Sequence, residues 1–117
     1  MAYTLEMGDD RILRLTYTDD VRVSREDFLR DFMPFLEAAT QDEPLLMLTN
    51  ARLAGKFSSQ ERALFAELAR DLRLGKNAVL GIGRYSRLMA NFISKAAGRN
   101  NIQFFESEQE AREWLKA

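Results

Sequence analysis

The sequence predicts an α/β fold: a single domain with a mixed sheet of about five strands, the later ones mostly parallel, and four helices in the order β-β-α-β-α-β-α-β-α. Three observations carry this. Apolar and polar residues alternate at the start of the chain, as in strands with one buried face. Two apolar runs without alternation, Leu45-Leu-Met-Leu48 and Ala78-Val-Leu-Gly-Ile82, suit strands covered on both faces. Capped stretches with helical apolar spacing lie between and after these runs, and single helices joining single strands make the strands parallel.

The first pair of strands follows from Tyr3, Leu5 and Met7, then the turn residues Gly8-Asp9-Asp10, then Leu13, Leu15 and Tyr17. Ser24 with Asp27 caps a first helix whose stripe is Phe28, Phe32, Leu36 and Ala39, widened by Leu29 and Met33. Pro34 lies inside it, and its missing amide and clash near Arg30 predict a kink or a break into two short helices near Met33. Phe28, Phe32 and Phe35 fit a core better than a lipid pocket. Pro44 introduces the third strand. Ser58 and Glu61 form a capping box for a second helix that turns Leu64, Phe65, Leu68 and Leu72 to the sheet and ends at Gly75. Ser86 is the predicted start of a third helix, with Leu88, Met89, Phe92, Ile93 and Ala96 on its apolar face and Gly98, Asn100 and Asn101 stopping it.

The final sixteen residues, Ile102 to Ala117, run from a short strand containing Phe104-Phe105 into a helix. Ser107 takes the N-cap position, Glu110 stands where a capping box closes, Glu108 suits the positive end of the helix dipole, and Ala111, Trp114 and Leu115 form the stripe. This ending, the stretch Leu88 to Ile93 and the order of elements together resemble the SpoIIAA-like family of STAS/SEC14-type domains over nearly the whole chain. The resemblance implies a STAS-type fold and a protein-interaction or regulatory module, working through the surface around Thr49 to Ser59 and the second helix. In STAS domains that antagonise anti-sigma factors, a serine at this helix start is phosphorylated within an Asp-Ser-Ser/Thr-Gly-like motif. Here the stretch is Phe57-Ser58-Ser59-Gln60: the serines match, but Phe57 replaces the acid and Gln60 the glycine. Ser58 and Ser59 therefore read as either phosphorylation positions or helix-cap residues, and the cap reading is the better supported of the two.

At 117 residues the chain has the length of one compact domain. Its apolar runs fall far short of the roughly 20 residues that span a bilayer, and its first residues lack a secretory pattern, so a soluble cytoplasmic protein without a transmembrane segment is expected. Having neither Cys nor His, it offers no disulfide or thiolate and lacks the commonest general base and metal ligand. No metal or other cofactor is expected, nor is enzymatic catalysis. The pairs Asp9-Asp10 and Asp19-Asp20 read as solvated turn acids. Nucleic-acid binding is not expected either, because Tyr85 is the only stacking candidate among the arginines.

Charge is unevenly placed. Residues 1–50 hold 11 acidic and 5 basic side chains, whereas residues 51–117 hold 7 and 12. The sharpest constellation comes from two strand-to-helix junctions, Thr49 to Ser59 and Gly81 to Arg87, with Arg52 and Lys56 in one and Arg84 and Arg87 in the other. If their strands are neighbours, these four cations can surround one anion beside helix N-termini, such as a phosphorylated metabolite or a lipid head group. Neither junction has dinucleotide or P-loop spacing. Two functions follow as expectations: a protein-interaction module, or a carrier or sensor for a small anionic or lipid ligand. Leu53, Phe57 and Leu74 have no place in the stripes, which fits a homodimer.

Overall fold

The computed structural model describes residues 2–19, 22–81 and 83–117, so Asp20 and Ile82 of the sequence reading lie outside the described residues. Strands β1 (Tyr3–Met7) and β2 (Ile12–Tyr17) form an antiparallel pair, followed by α1 (Arg25–Glu37), β3 (Leu45–Asn50), α2 (Ser59–Arg70), β4 (Leu74–Leu80), α3 (Gly83–Ala97), β5 (Ile102–Phe105) and α4 (Glu108–Lys116). The sheet order is β1-β2-β3-β4-β5, and every pair after the first is parallel. The order of elements along the chain and the parallel later strands are as the alternating and continuous apolar runs predict.

Strand alternation divides the molecule into three layers. Leu13, Leu15 and Tyr17 of β2 and Leu45 and Met47 of β3 face a core shared with α1, α2 and α3. Ile12, Leu48, Ala78 and Leu80 point the other way and meet α4 through Ala111 and Leu115. Among the described residues the terminal helix is thus the sole helical cover of one face. It is held there by Trp114 packing on Phe105, with ring centroids 5.5 Å apart, and by Lys76, whose ammonium sits 5.1 Å from the indole centre. The same ammonium donates to the carbonyls of Trp114 and Ala117, placing a cation at the negative end of α4.

Four local expectations need correction. Of the kink or break expected at Pro34, the break does not occur: α1 runs through the proline as one helix. The proline sits in the last turn on the exposed side, and Arg30, whose carbonyl it leaves without an amide, is exposed as well. Helix α2 ends at Arg70, Leu72 is exposed, and Gly75 lies inside β4. A Cβ at Gly75 would stand 3.0 Å from the Pro44 ring, so this glycine serves strand approach and not a helix stop. Helix α3 starts at Gly83, in the left-handed region at φ 69°, three residues before Ser86. Its buried positions are Ala90, Ile93, Ser94 and Ala97, while Leu88 and Phe92 are 61% and 51% exposed. Small residues let α3 approach α2 and β5 closely, which turns the larger apolar side chains outward.

Leu74 and Phe57 also find places: Leu74 is buried in β4, and Phe57 packs on the core, whereas Leu53 stays exposed. None of the helices among the described residues is long and apolar enough to cross a membrane.

Candidate functional site

The two junctions singled out in the sequence are neighbours, because β3 pairs with β4 in register from Leu46↔Lys76 to Asn50↔Leu80. The ladder continues one step beyond the strands, with the Ala51 amide donating to the Leu80 carbonyl at 2.7 Å. The chain then turns through Ala54, whose amide donates to Ala51 O, and reaches α2. There the Ser58 hydroxyl accepts from the Glu61 amide and the Glu61 carboxylate accepts from the Ser58 amide, both at 3.1 Å, so the capping box is complete. Ser59 is the exposed first residue of α2. At α4 the Ser107 hydroxyl accepts from the Glu110 amide at 3.4 Å, the first half of the same arrangement.

Glu61 does more than its spacing revealed. It is only 3% exposed, and its second oxygen accepts from the Val23 amide at 3.3 Å, tying the segment before α1 to the start of α2. Two backbone donors on one buried carboxylate compensate part of its lost hydration.

On the α3 side, Gly81 lies against Ser86: a Cβ there would come within 2.2 Å of both side-chain atoms of Ser86. This close approach brings Tyr85 over the β3–α2 segment, where its hydroxyl accepts from the Phe57 amide at 2.6 Å. Phe57 packs in turn between Tyr17 and Phe65 at tilted angles, with centroid distances of 5.6 and 5.8 Å. The Arg62 guanidinium donates to the Phe57 carbonyl and lies over Phe92.

Beneath this bracket is a cavity of about 40 Å³. Tyr17, the last residue of β2, and Thr49, near the end of β3, line it together with Asn77, Phe57, Tyr85, Met89 and Ile93. All three crossover helices lie on one face, so the sheet has no point where its connections diverge to opposite faces. The crevice that usually receives ligands in open α/β sheets therefore does not form, and the cavity lies between sheet and helices instead. Inside, the Thr49 hydroxyl donates to Asn77 Oδ1 at 2.7 Å. The Tyr17 hydroxyl meets no hydrogen-bond partner among the described residues, although Tyr17 is 2% exposed. Burial, with the negative charge of Glu61 and proximity to Tyr3 adding to it, pushes the phenol far above its usual pKa, so it remains a protonated donor.

The four cations are placed unequally. Arg52 and Arg87 both turn to Glu106: Arg52 donates to its carbonyl at 3.2 Å, and Arg87 pairs with its carboxylate at 3.6 Å while lying over the Phe104 ring. Lys56 and Arg84 are exposed and make no ion pair among the described residues, and each neighbours residues that line the cavity. The first turn of α3 has no acidic residue, unlike those of the other three helices.

The sequence reading located the junctions but not Tyr17, Thr49 or Asn77 as cavity residues, and it took Tyr85 only as a candidate for stacking. Tyr17 reads as an ordinary inward strand residue.

No curated protein matches the chain significantly. Among solved structures, an uncharacterized protein from the DUF3478 family with a SpoIIAA-like fold, from Shewanella loihica PV-4, superimposes with a TM-score of 0.72 at 16% identity, covering 97% of this chain and 92% of its own. The model of the SpoIIAA-like family matches residues 12–116, from β2 through the last residue of α4. The chain thus belongs to the SpoIIAA-like family.

Proposed function

We propose that the protein is a non-enzymatic ligand-binding domain that receives a small molecule in the cavity between the sheet and the Phe57–Tyr85 bracket. The observation that carries this reading is the cavity itself, about 40 Å³ between sheet and helices, whose wall sets Tyr17, Thr49, Asn77 and Tyr85 among apolar side chains. A mostly apolar concavity with a few convergent polar groups is the usual form of a small-molecule site. The domain is regulatory in the sense its family implies: an occupied cavity changes the surface formed by the β3–α2 segment and α3. Nitrogen-labelled protein titrated with a fragment collection tests it. Amide shifts clustered at Ala54, Gly55, Tyr85 and Met89 are expected, and a collection that moves none of them would remove the reading.

An anionic part of the ligand is read onto the rim. Lys56 and Arg84 have charge to spare, and cations at the start of α3 oppose its dipole unless an anion joins them. Replacing both by Glu is expected to weaken inorganic phosphate binding at low ionic strength roughly tenfold. Arg52→Glu with Arg87→Glu should cost less, since Glu106 already engages that pair. Isothermal titration checks it, and an equal loss from both double variants would move the site towards Glu106.

A second reading, protein interaction, is favoured by the exposed Leu88 and Phe92 on the outer side of α3. Ser58 is read as a helix cap and not as a phosphorylation position, because its hydroxyl is committed to the Glu61 amide and a phosphate there would face the Glu61 carboxylate.

A further inference from the structure

The five-stranded sheet has an open edge at β5 beside a cationic groove, and we infer that this edge receives an extended segment of a partner protein as an added strand. The segment carries apolar side chains and a carboxylate on the face that meets α3. This deepens the protein-interaction reading above and does not depend on the cavity.

Asn77 pairs with Ile102, and its amide donates to the Asn101 carbonyl at 2.8 Å. In a parallel ladder that pattern turns the polar backbone groups of Gln103 towards β4 and those of Ile102 and Phe104 away from it. Because β5 ends the sheet, these outward amides and carbonyls bond to nothing among the described residues. The four residues of β5 include no proline, lysine or bulge, the devices that usually protect an open edge.

Ile102 and Phe104 face the helices, and beside them lies an open groove of about 820 Å³ whose lining includes Leu88, Phe92, Lys95 and Arg99. Leu88 and Phe92, one turn apart and more than half exposed, are placed to pack on apolar side chains of an added strand. No carboxylate lines the groove, α3 carries none along its length, and the Arg62 guanidinium lies 5.6 Å from the Phe92 centroid. Arg99 donates to the carbonyls of Ala69, Asp71 and Leu74, whereas Lys95 is exposed and makes no ion pair among the described residues. An acid opposite Lys95 is therefore the complement the groove lacks. The other edge, β1, has the wrong charge for it, since it carries Glu6 and leads into Asp9 and Asp10. A second copy does not fit either. Pairing β5 edge to edge about a twofold axis sets two α3 helices on the same face, each with Arg84, Arg87 and Lys95 and no acid.

The direction of α3 orders the segment. Arg87 lies over Phe104, while the Ser94 hydroxyl donates to the Arg99 carbonyl just before β5, so α3 runs opposite to the strand and Lys95 stands near Ile102. A segment antiparallel to β5, the more stable pairing, thus has its acid on the C-terminal side of its apolar residues.

The test uses the full chain and the peptide Thr-Val-Thr-Leu-Thr-Glu-Thr, blocked at both ends, in which Val, Leu and Glu share one face. Titration of nitrogen-labelled protein is expected to shift the amides of Ile102, Phe104, Leu88 and Lys95. The same peptide N-methylated at Val, Leu and Glu, whose amides face β5 in this pairing, should shift none of them. Lys95→Glu should weaken binding roughly fivefold, and a peptide with Lys in place of Glu should prefer that variant to the wild type. Equal binding of the methylated peptide would overturn strand addition while leaving α3 as an interaction surface. Equal affinity of the wild type and Lys95→Glu for the acidic peptide would overturn the charge pairing that defines the partner. Shifts at the same amides on concentrating the protein without peptide would assign the edge to a second copy and overturn the proposal. No shift at millimolar peptide would overturn it too, and would remove the interaction reading of Leu88 and Phe92 with it.

Discussion

Truncation of Phe28 to alanine is expected to lower the stability of the fold by about 4 kcal/mol, near the upper end for an aromatic residue removed from a core. Its side chain is fully buried and has three aromatic neighbours: Tyr3 of β1 at 5.4 Å, Phe32 one turn on at 5.3 Å and Phe65 of α2 at 5.5 Å between centroids. Phe28 is therefore where α1, the edge strand and α2 meet. Its loss removes transfer energy, leaves a cavity that the flanking rings fill incompletely, and disrupts the edge-on contact with Phe65. The same rings lead through Phe65 to Phe57, so the change should also loosen the wall of the cavity. Urea unfolding followed by far-ultraviolet circular dichroism checks it. Phe35→Ala, at a partly buried position on the same helix, serves as the control and should cost less than half as much. Equal losses in the two variants would show that the aromatic cluster has no special weight.

Why Phe28 was legible in the sequence and Tyr17 was not is a matter of what periodicity reports. A stripe at 3.6-residue spacing says which side of a helix is inward, and Phe28, Phe32 and Leu36 are all at most 1% exposed, as their stripe predicts. The capped starts of α1, α2 and α4 were legible for a similar reason, since a cap is a local interaction over three residues. Long-range approach is different. Gly75 reads as a helix stop until the Pro44 ring is seen beside it, and Leu88 and Phe92 read as inward until Ala90, Ser94 and Ala97 are seen bringing α3 down on its small side. Pattern reading rewards large apolar residues, whereas close packing selects small ones.

The cavity depends further on register. Leu15 pairs with Thr49 and Met47 with Asn77, and these pairings bring Tyr17, Thr49 and Asn77 from three adjacent strands into one wall. Nothing in the spacing of the three residues along the chain encodes this. The cations were legible as a group because both junctions follow buried strands, but their division was not. Glu106, which engages Arg52 and Arg87, follows β5, a strand whose position beside β4 emerges only from the sheet order.

Gly81→Ala should be the next most damaging single change, costing about 3 kcal/mol by overpacking. The added methyl would lie 2.1 Å from the Ser86 Cβ and 2.2 Å from its hydroxyl oxygen. The Ser86 Cβ is fixed to the backbone of α3, so rotation of a side chain cannot relieve the contact, and the first turn of the helix must move away from the end of β4. Gly81 is not in the left-handed region, unlike Gly83, so the cost is steric and not conformational. The third neighbour, Phe104 Cε1 at 3.2 Å, belongs to a ring that can yield by a few tenths of an ångström. The same movement would draw the Tyr85 hydroxyl away from the Phe57 amide and open the bracket over the cavity, so stability and fragment binding should fall together. A double-mutant cycle makes the steric claim specific: in Gly81→Ala with Ser86→Gly the space vacated by Ser86 receives the new methyl, and most of the loss should be recovered. Chemical unfolding of the four proteins measures the coupling. If Ser86→Gly fails to rescue Gly81→Ala, the tight approach of β4 to α3 is not what requires a glycine at this position.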